Sequence, residues 1–501
     1  MSKNTLAFLI IYSIVILFYY PVLTTFFSHD DFFHLKVSIT DGSLKQFINF
    51  FDFHPFEERL IAFYRPIFRE VFYNTFYNLF GLNQLPFRIL SFVLHFANIY
   101  LVFTLTEKLF RNKFISYFAT FFFAITAANT ASFYYLAGGI QTQGATMFIL
   151  STLIFYIKYL ENKKSAFKYF AFSTFLLAIS SHEQAAILPL LLIGIIFTKF
   201  NLRTSFKRIP ELLPLFLVIA LYVYVIVYII GYSSGETQYQ MSYNIKTAIQ
   251  TISWYTVWAL GMPETFVDYL LPGFGLNPNL MKYWGNYYRF IFPAFFYSIF
   301  TIVLSSIIIL FKKYKVLIDK GFLFYILWFP LGILPVLFLP THKSTHYLYP
   351  SLPAFWTLIA YVVYNAFNIL QSKQKALARA LLTSTAVVLF ILSATSVLLG
   401  KTTYWAAARG RYAGKLINNI KEKYPTLPKG SVIYYENDSN YPFVSEDWGS
   451  TSKQAYYALN GNDAIRLLYD DRSINVYYQD LDSPPEDISE NKVYTLKAVI
   501  P

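Results

Sequence analysis

Apolar residues in this chain come in long unbroken runs, without the alternation of half-buried strands or the narrow stripes of surface helices. Eleven runs stand out, at residues 5–27, 87–106, 114–137, 140–157, 166–180, 184–197, 210–231, 288–311, 321–339, 347–370 and 380–399. A helix needs about 20 such residues to cross a hydrocarbon core of about 30 Å, so the pattern predicts an all-α polytopic membrane protein with about 11 transmembrane helices. The fifth and sixth runs, of 15 and 14 residues, rise only about 22 and 21 Å. Either the bilayer is thinned there or the turn Ser181-His182-Glu183 lies inside protein. Neither version changes the side on which later spans emerge.

Two long loops, 28–86 and 232–287, mix Phe, Tyr and Trp with charges, as in Trp254, Trp258 and Trp284. That mixture suits elements lying in the headgroup layer. After residue 400 the long runs stop. The tail alternates helical patterns at 402–423 and 453–468 with extended ones at 431–435, 474–478 and 493–499. This predicts a transmembrane domain at 1–400 and a small α/β domain at 401–501. A single lysine, Lys3, precedes the first run and no small-residue cleavage site follows it, so it is expected to remain as an anchor.

Composition agrees with this picture and narrows it. The chain of 501 residues is 56% hydrophobic and 14% charged and contains no cysteine, whereas soluble domains carry about 25% charge. Disorder and a disulfide scaffold are excluded. A net charge of +13 invites a nucleic-acid partner, but the basic residues fall where topology would put them. Lys3, then Lys108, Arg111 and Lys113, then Lys158, Lys163, Lys164 and Lys168, then Lys199, Arg203, Lys207 and Arg208, then Lys312, Lys313, Lys315 and Lys320, then Lys373, Lys375 and Arg379 occupy every second connection. The short connections of the other set hold only Lys343. Under the positive-inside rule the N-terminus is cytoplasmic and the C-terminal domain extracytoplasmic, in what would be a bacterial plasma membrane. The charge balance is a topology signal, and nucleic acid is not expected as a partner.

Four constellations lie on the predicted outer side. His29-Asp30-Asp31-Phe32-Phe33-His34 follows the first span, where two carboxylates could serve as a general base or hold a divalent cation through oxygen ligands. The plain alternative is a solvated helix end. Tyr64-Arg65-Pro66, with Arg69 and Glu70, offers a guanidinium fork that matches phosphate oxygens, or an ordinary snorkelling arginine. The turn His182-Glu183 places an acid between two short spans, which is costly unless it is paired or wet. The loop from Thr341 to Tyr347 groups His342, Lys343 and His346, as a phosphate site or a polar turn.

Taken in order, "HDD", "YRP", "LPFRILSFVLHFANIYLVF", "SHEQAAILPLLL" and "HYLYPSLPAF" resemble the polyprenyl-phosphate-sugar-dependent glycosyltransferases of the C-type membrane fold. The resemblance is to the branch containing O-mannosyltransferases with tetratricopeptide repeats and their bacterial relatives. His182 stands where that pattern usually has Lys, His346 where it usually has Arg, and no tetratricopeptide tail is present. The resemblance implies transfer of a sugar, with inversion, from a polyprenyl-phosphate donor to a glycan, lipid or protein hydroxyl at the outer face, among membrane lipids. It implies Asp30 as the general base, although spacing alone does not separate Asp30 from Asp31. It also implies Asp31 and Glu183 as orienting or substrate-binding carboxylates, Arg65, Lys343 and His346 as phosphate contacts, and Tyr347 in the same substrate-binding set. No cofactor is required and no metal ligand is assigned, though a divalent cation is permitted. A lipid-linked glycan ligase and a transporter or flippase are the rival functions. The flippase would favour inverted repeats and midplane charges, which the sequence lacks.

Overall fold

The structure is a computed structural model that describes residues 3–231, 240–440, 443–445, 449–485 and 492–500. All eleven apolar runs are helical. Among the described residues seven helices are long and apolar enough to cross a membrane, at Asn4–Thr24, Gln84–Phe110, Leu136–Asn162, Leu202–Gly231, Pro278–Ile318, Leu352–Gln371 and Lys375–Thr403. Shorter apolar helices occupy Lys113–Ile125, Ser165–Ile179 and Lys320–Val336, and Leu188–Lys199 completes the set. The chain is a polytopic helical membrane protein with a small α/β segment at its C-terminal end. Residues 232–239 of the second long loop lie outside the described residues.

Several boundaries differ from the sequence expectation, among them Pro278–Lys313, which begins inside the expected loop 232–287. The third run does not continue to residue 137: its helix stops at Ile125, and a short helix, Asn129–Tyr134, precedes the long helix Leu136–Asn162. The break contains neither Pro nor Gly. Local side chains stabilise it, with Asn129 Nδ2 donating to Phe123 O at 2.7 Å. In the tail, the expected helix 453–468 is two helices, Thr451–Leu459 and Asp463–Tyr469, separated by Asn460 and Gly461 at positive φ.

The basic connections meet at one end of the bundle. Lys108 and Lys199 both pair with Glu161, at 3.2 and 2.8 Å, and Lys320 Nζ donates to Phe200 O at 2.6 Å. The helices Gln84–Phe110 and Leu136–Asn162, each 27 residues, run parallel for about 40 Å from the opposite end to this one. At that opposite end the tail closes over the first long loop. Its parallel strands, in the order Asn475–Tyr478, Val432–Asn437, Val493–Ala498, back onto the helix Trp405–Lys423. One apolar cluster joins Ile433, Val476 and Leu416 to Phe27, Phe32, Phe87 and Ile140. The turn 181–183 also lies inside protein, since Ser181 and His182 are fully buried.

Candidate active site

The two aspartates begin a short helix, Asp30–Val37, so successive side chains diverge by about 100° and enter different surroundings. Asp31 is fully buried. Its Oδ2 accepts from Ser28 N at 3.0 Å, and its Oδ1 accepts from Tyr73 Oη at 3.2 Å and Ala137 N at 2.8 Å. Ala137 is in the first turn of Leu136–Asn162, so Asp31 caps one of the free N–H groups there and meets the positive end of the helix dipole. Burial pushes its carboxyl up to about 6, against the pull of the Arg88 guanidinium and the two backbone N–H groups. Asp30 is different. Its side chain is 38% exposed, and Oδ2 accepts from Tyr135 Oη at 2.5 Å. The residue before it, His29, has φ 49°, a region costly for a non-glycine residue. Two contacts to the tail fix it there: its N–H donates to Ala458 O at 3.1 Å, and its Nδ1 lies 3.1 Å from Tyr457 O.

Arg65 and Glu183, 118 positions apart, form one unit. Arg65 Nε and Nη2 donate to the two carboxylate oxygens of Glu183 at 2.7 and 2.6 Å, while Nη1 donates to Gln141 Oε1 at 2.6 Å. Burial works against the Arg65 charge, but the Glu183 carboxylate more than offsets it and holds the guanidinium above its ordinary value. Burial likewise opposes the Glu183 charge, yet Arg65 and His182 hold that carboxyl down at about 2. Next to it, burial lowers the His182 imidazole to about 3. Gln184 N donates to His182 Nδ1 at 3.3 Å, so the neutral ring carries its proton on Nε2, which is buried without a partner.

A cavity of about 760 Å³ has Glu183 of this pair in its wall. Phe63, Tyr222, Ile226, Met241 and Leu339 line it, and Glu183 and Tyr347 supply polar groups. The first two turns of Leu136–Asn162 connect the pair to the aspartates: Gln141 touches Arg65, and Ala137 touches Asp31. Gly138 lies between them. A Cβ there would collide with the Tyr135 ring and press on His346, so only glycine lets both rings reach the helix.

The loop 341–347 arrives from the other side. His346 is buried, with its ring 5.3 Å from that of Tyr135 and 3.9 Å from that of Tyr347. Burial holds its imidazole well below the ordinary value. Its Nδ1 lies 3.0 Å from Ser344 Oγ, and Ser344 Oγ donates to Glu264 Oε2 at 3.3 Å. His346 therefore carries its proton on Nδ1 and presents a lone pair at Nε2. In this structure the ring is uncharged and offers an acceptor at Nε2. Lys343 Nζ donates to Pro340 O at 2.5 Å, and Tyr347 Oη lies 2.8 Å from His342 Nε2.

Glu264 anchors this loop. Its Oε2 also accepts from Thr345 N and Oγ1, at 2.7 and 2.5 Å, and burial pushes its carboxyl up to about 7 from an ordinary 4.5. A group whose folded value is raised contributes stability that is full below about 4.5 and is lost as pH rises through about 7. Glu264→Gln keeps an acceptor oxygen for the same donors and removes the titration. The melting temperature of the purified variant is expected to gain on that of wild type as pH rises from 5 to 8, with the largest difference at pH 8. Parallel curves would assign the pH dependence to another group.

The structure joins Arg65 to Glu183 and links both, through Gln141 and Ala137, to Asp31; it adds Tyr135, Gln141 and Glu264, while Lys343 contacts only Pro340 O among the described residues. Tyr135 and Gln141 carry no sequence signal of their own. An acid in an aromatic loop could have drawn attention to Glu264.

No family model matches the chain, and no curated protein matches it. Solved structures that are similar include three membrane proteins. The archaeal oligosaccharyltransferase AglB from Archaeoglobus fulgidus, in complex with an inhibitory peptide and a dolichol-phosphate, has a TM-score of 0.45 at 11% identity over 92% of this chain and 68% of that one. The apo oligosaccharyltransferase of the same organism has a TM-score of 0.47 at 13% identity over 95% and 64%. ArnT from Cupriavidus metallidurans, bound to undecaprenyl phosphate, has a TM-score of 0.42 at 13% identity over 91% and 84%. The chain spans about two thirds of the length of the two oligosaccharyltransferases. At these scores the likeness carries no conclusion about chemistry, which rests on the geometry of the site.

Proposed function

We propose that this chain is a membrane glycosyltransferase of the C-type class that moves a sugar from a polyprenyl-phosphate donor to an acceptor hydroxyl, inverting the anomeric centre. One juxtaposition supports it best. A largely apolar cavity of about 760 Å³ has Glu183 in its wall, and a partly exposed carboxylate, Asp30, lies near the helix end that Arg65 and Glu183 reach through Gln141. A polyprenyl chain needs an apolar channel that stops where polar groups begin. Its phosphate would then lie near Arg65, Glu183 and Lys343, with the His182 Nε2 proton as a further donor. The departing phosphate is a stable anion, so the protein need only remove the acceptor proton, and Asp30 is the base. Tyr135 holds Asp30 in place, and Asp31 fixes the helix end behind it. A mannosyl donor is the finer form of this proposal. The acceptor is a glycan, lipid or protein hydroxyl, and the residues required call for no cofactor.

The test is a panel of radiolabelled polyprenyl-phosphate sugars given to the purified protein in sealed liposomes together with a membrane extract as the source of acceptor hydroxyls. Release of polyprenyl phosphate with one donor is expected. Release from none, together with movement of label across the bilayer, would favour the flippase reading.

The chemistry also requires a side. The basic end is proposed to be cytoplasmic and the site end extracytoplasmic, since sugars on a lipid carrier are the form that crosses a membrane. Reporter fusions after Lys113, Lys164, Arg208, Lys320 and Lys375 are expected to register cytoplasm, and a fusion after Lys429 the outside. A cytoplasmic signal after Lys429 would put the aspartates on the wrong side.

A further inference from the structure

Most of the cations expected to meet a phosphate are already engaged within the protein. Arg65 is bound by Glu183 and Gln141, Lys343 donates to a backbone carbonyl, and His346 is neutral. Arg409 is not so engaged. It lies in the helix Trp405–Lys423, one turn after Trp405 and therefore on the same face. Its guanidinium carbon is 5.1 Å from the centre of the Trp405 ring and 5.0 Å from that of Tyr457. Both rings flank His29, at 6.4 and 6.3 Å between centres, and the His29 imidazole is 3.5 Å from Asp30. Arg409 thus stands beside the proposed base, although it belongs to the C-terminal segment.

Two aromatic rings hold the guanidinium by cation–π attraction, which uses none of its N–H donors. Among the described residues Arg409 forms neither a hydrogen bond nor an ion pair, and its Nε is buried without a partner. Burial pushes its guanidinium down from the ordinary value while the Asp30 carboxylate pulls the other way. A buried charged donor without a partner is destabilising, so an unmet Nε next to Asp30 points to a ligand.

We propose that Arg409 is a further oxyanion-binding group of this site and takes a phosphate monoester or diester oxygen of a substrate next to Asp30. This rests on the transferase reading above and gives the C-terminal segment a part in it: it carries the cation that the transmembrane helices do not leave free. The phosphate is either that of the lipid donor or one carried by a water-borne acceptor.

The experiment compares wild type, Arg409→Gln and Arg409→Lys in detergent, with binding of undecaprenyl phosphate measured against undecaprenol and binding of glycerol 3-phosphate against glycerol. Each ratio is insensitive to the fraction folded, so a variant that folds poorly still reports. A preference for undecaprenyl phosphate that falls about 10- to 100-fold in Arg409→Gln, and partly returns in Arg409→Lys, supports a lipid-borne phosphate. The same behaviour with glycerol 3-phosphate supports a water-borne one. Ratios unchanged in Arg409→Gln, or no phosphate preference in wild type, overturn the assignment. Sugar release from the radiolabelled panel is scored on the same proteins. Release by wild type with unchanged ratios in the variant sinks Arg409 alone; no release by wild type, with a glycerol 3-phosphate preference lost in Arg409→Gln, sinks the lipid-donor reading and keeps the anion site.

Discussion

Asp30→Asn is expected to lower sugar transfer by about 10² to 10⁴, the usual contribution of a general base, while the lipid donor still binds. Asn nearly matches Asp in volume and can still accept from Tyr135, so the substitution removes the proton acceptor and little else. Asp31→Asn provides the contrast. Its carboxylate accepts from Ser28 N, Tyr73 Oη and Ala137 N through both oxygens, and an amide must turn its NH₂ toward at least one of those donors. The expected result is a lower melting temperature with a smaller loss of turnover per folded molecule. Transfer rate, donor affinity and melting are to be measured on the same preparations. Normal transfer in Asp30→Asn with a dead but folded Asp31→Asn would move the base to Asp31. Activity in both would place it elsewhere and remove the main support for the mechanism.

The difference between the two aspartates was not legible in sequence, and the reason is physical. They are adjacent in the chain and chemically identical. What separates them is the approach of Tyr73, Tyr135 and Ala137, which are 42 to 106 positions away. The spans were legible because length and apolarity are local properties set by the bilayer. The break after Ile125 was not, because the groups that stabilise it are partly remote. His95 Nε2 lies 3.0 Å from Ala124 O, and the same ring lies 2.6 Å from Tyr349 Oη. The sequence pattern that joined a "LHFAN" segment to a "YLYPS" segment was therefore tracking a direct contact. Arg65 and Glu183 were both expected in the site but as separate groups; only the fold shows that each occupies the other. Arg409 was passed over because its significance comes from hydrogen bonds it does not make, and a sequence does not record those.

Arg88 is expected to be the position least tolerant of change. It sits in the first turns of Gln84–Phe110, fully buried, and donates to four backbone carbonyls: Thr25 at 3.2 Å, Phe26 at 3.0 Å, Phe133 at 2.8 Å and Tyr134 at 3.1 Å. The first two carbonyls belong to the segment leading into Asp30 and the others to the segment ending at Tyr135, so one guanidinium clamps the two strands of chain whose meeting makes the Tyr135–Asp30 contact. Arg88→Met leaves those carbonyls buried without donors, at about 1–3 kcal/mol each, and takes from Asp31 the cation that opposes its burial. The sum is comparable with the roughly 5–15 kcal/mol that holds a typical domain together. The expected outcome is no monodisperse protein after extraction in mild detergent. Arg88→Lys keeps the charge but has three donors for four carbonyls and no planar fork. It should be recoverable with a lowered melting temperature, and its turnover per folded molecule should fall because the two segments no longer meet in register. Size-exclusion profiles and melting curves test the first part, and transfer assays on the Lys variant test the second. A well-folded Arg88→Met protein with normal transfer would show that the carbonyls find other partners and that the clamp is dispensable.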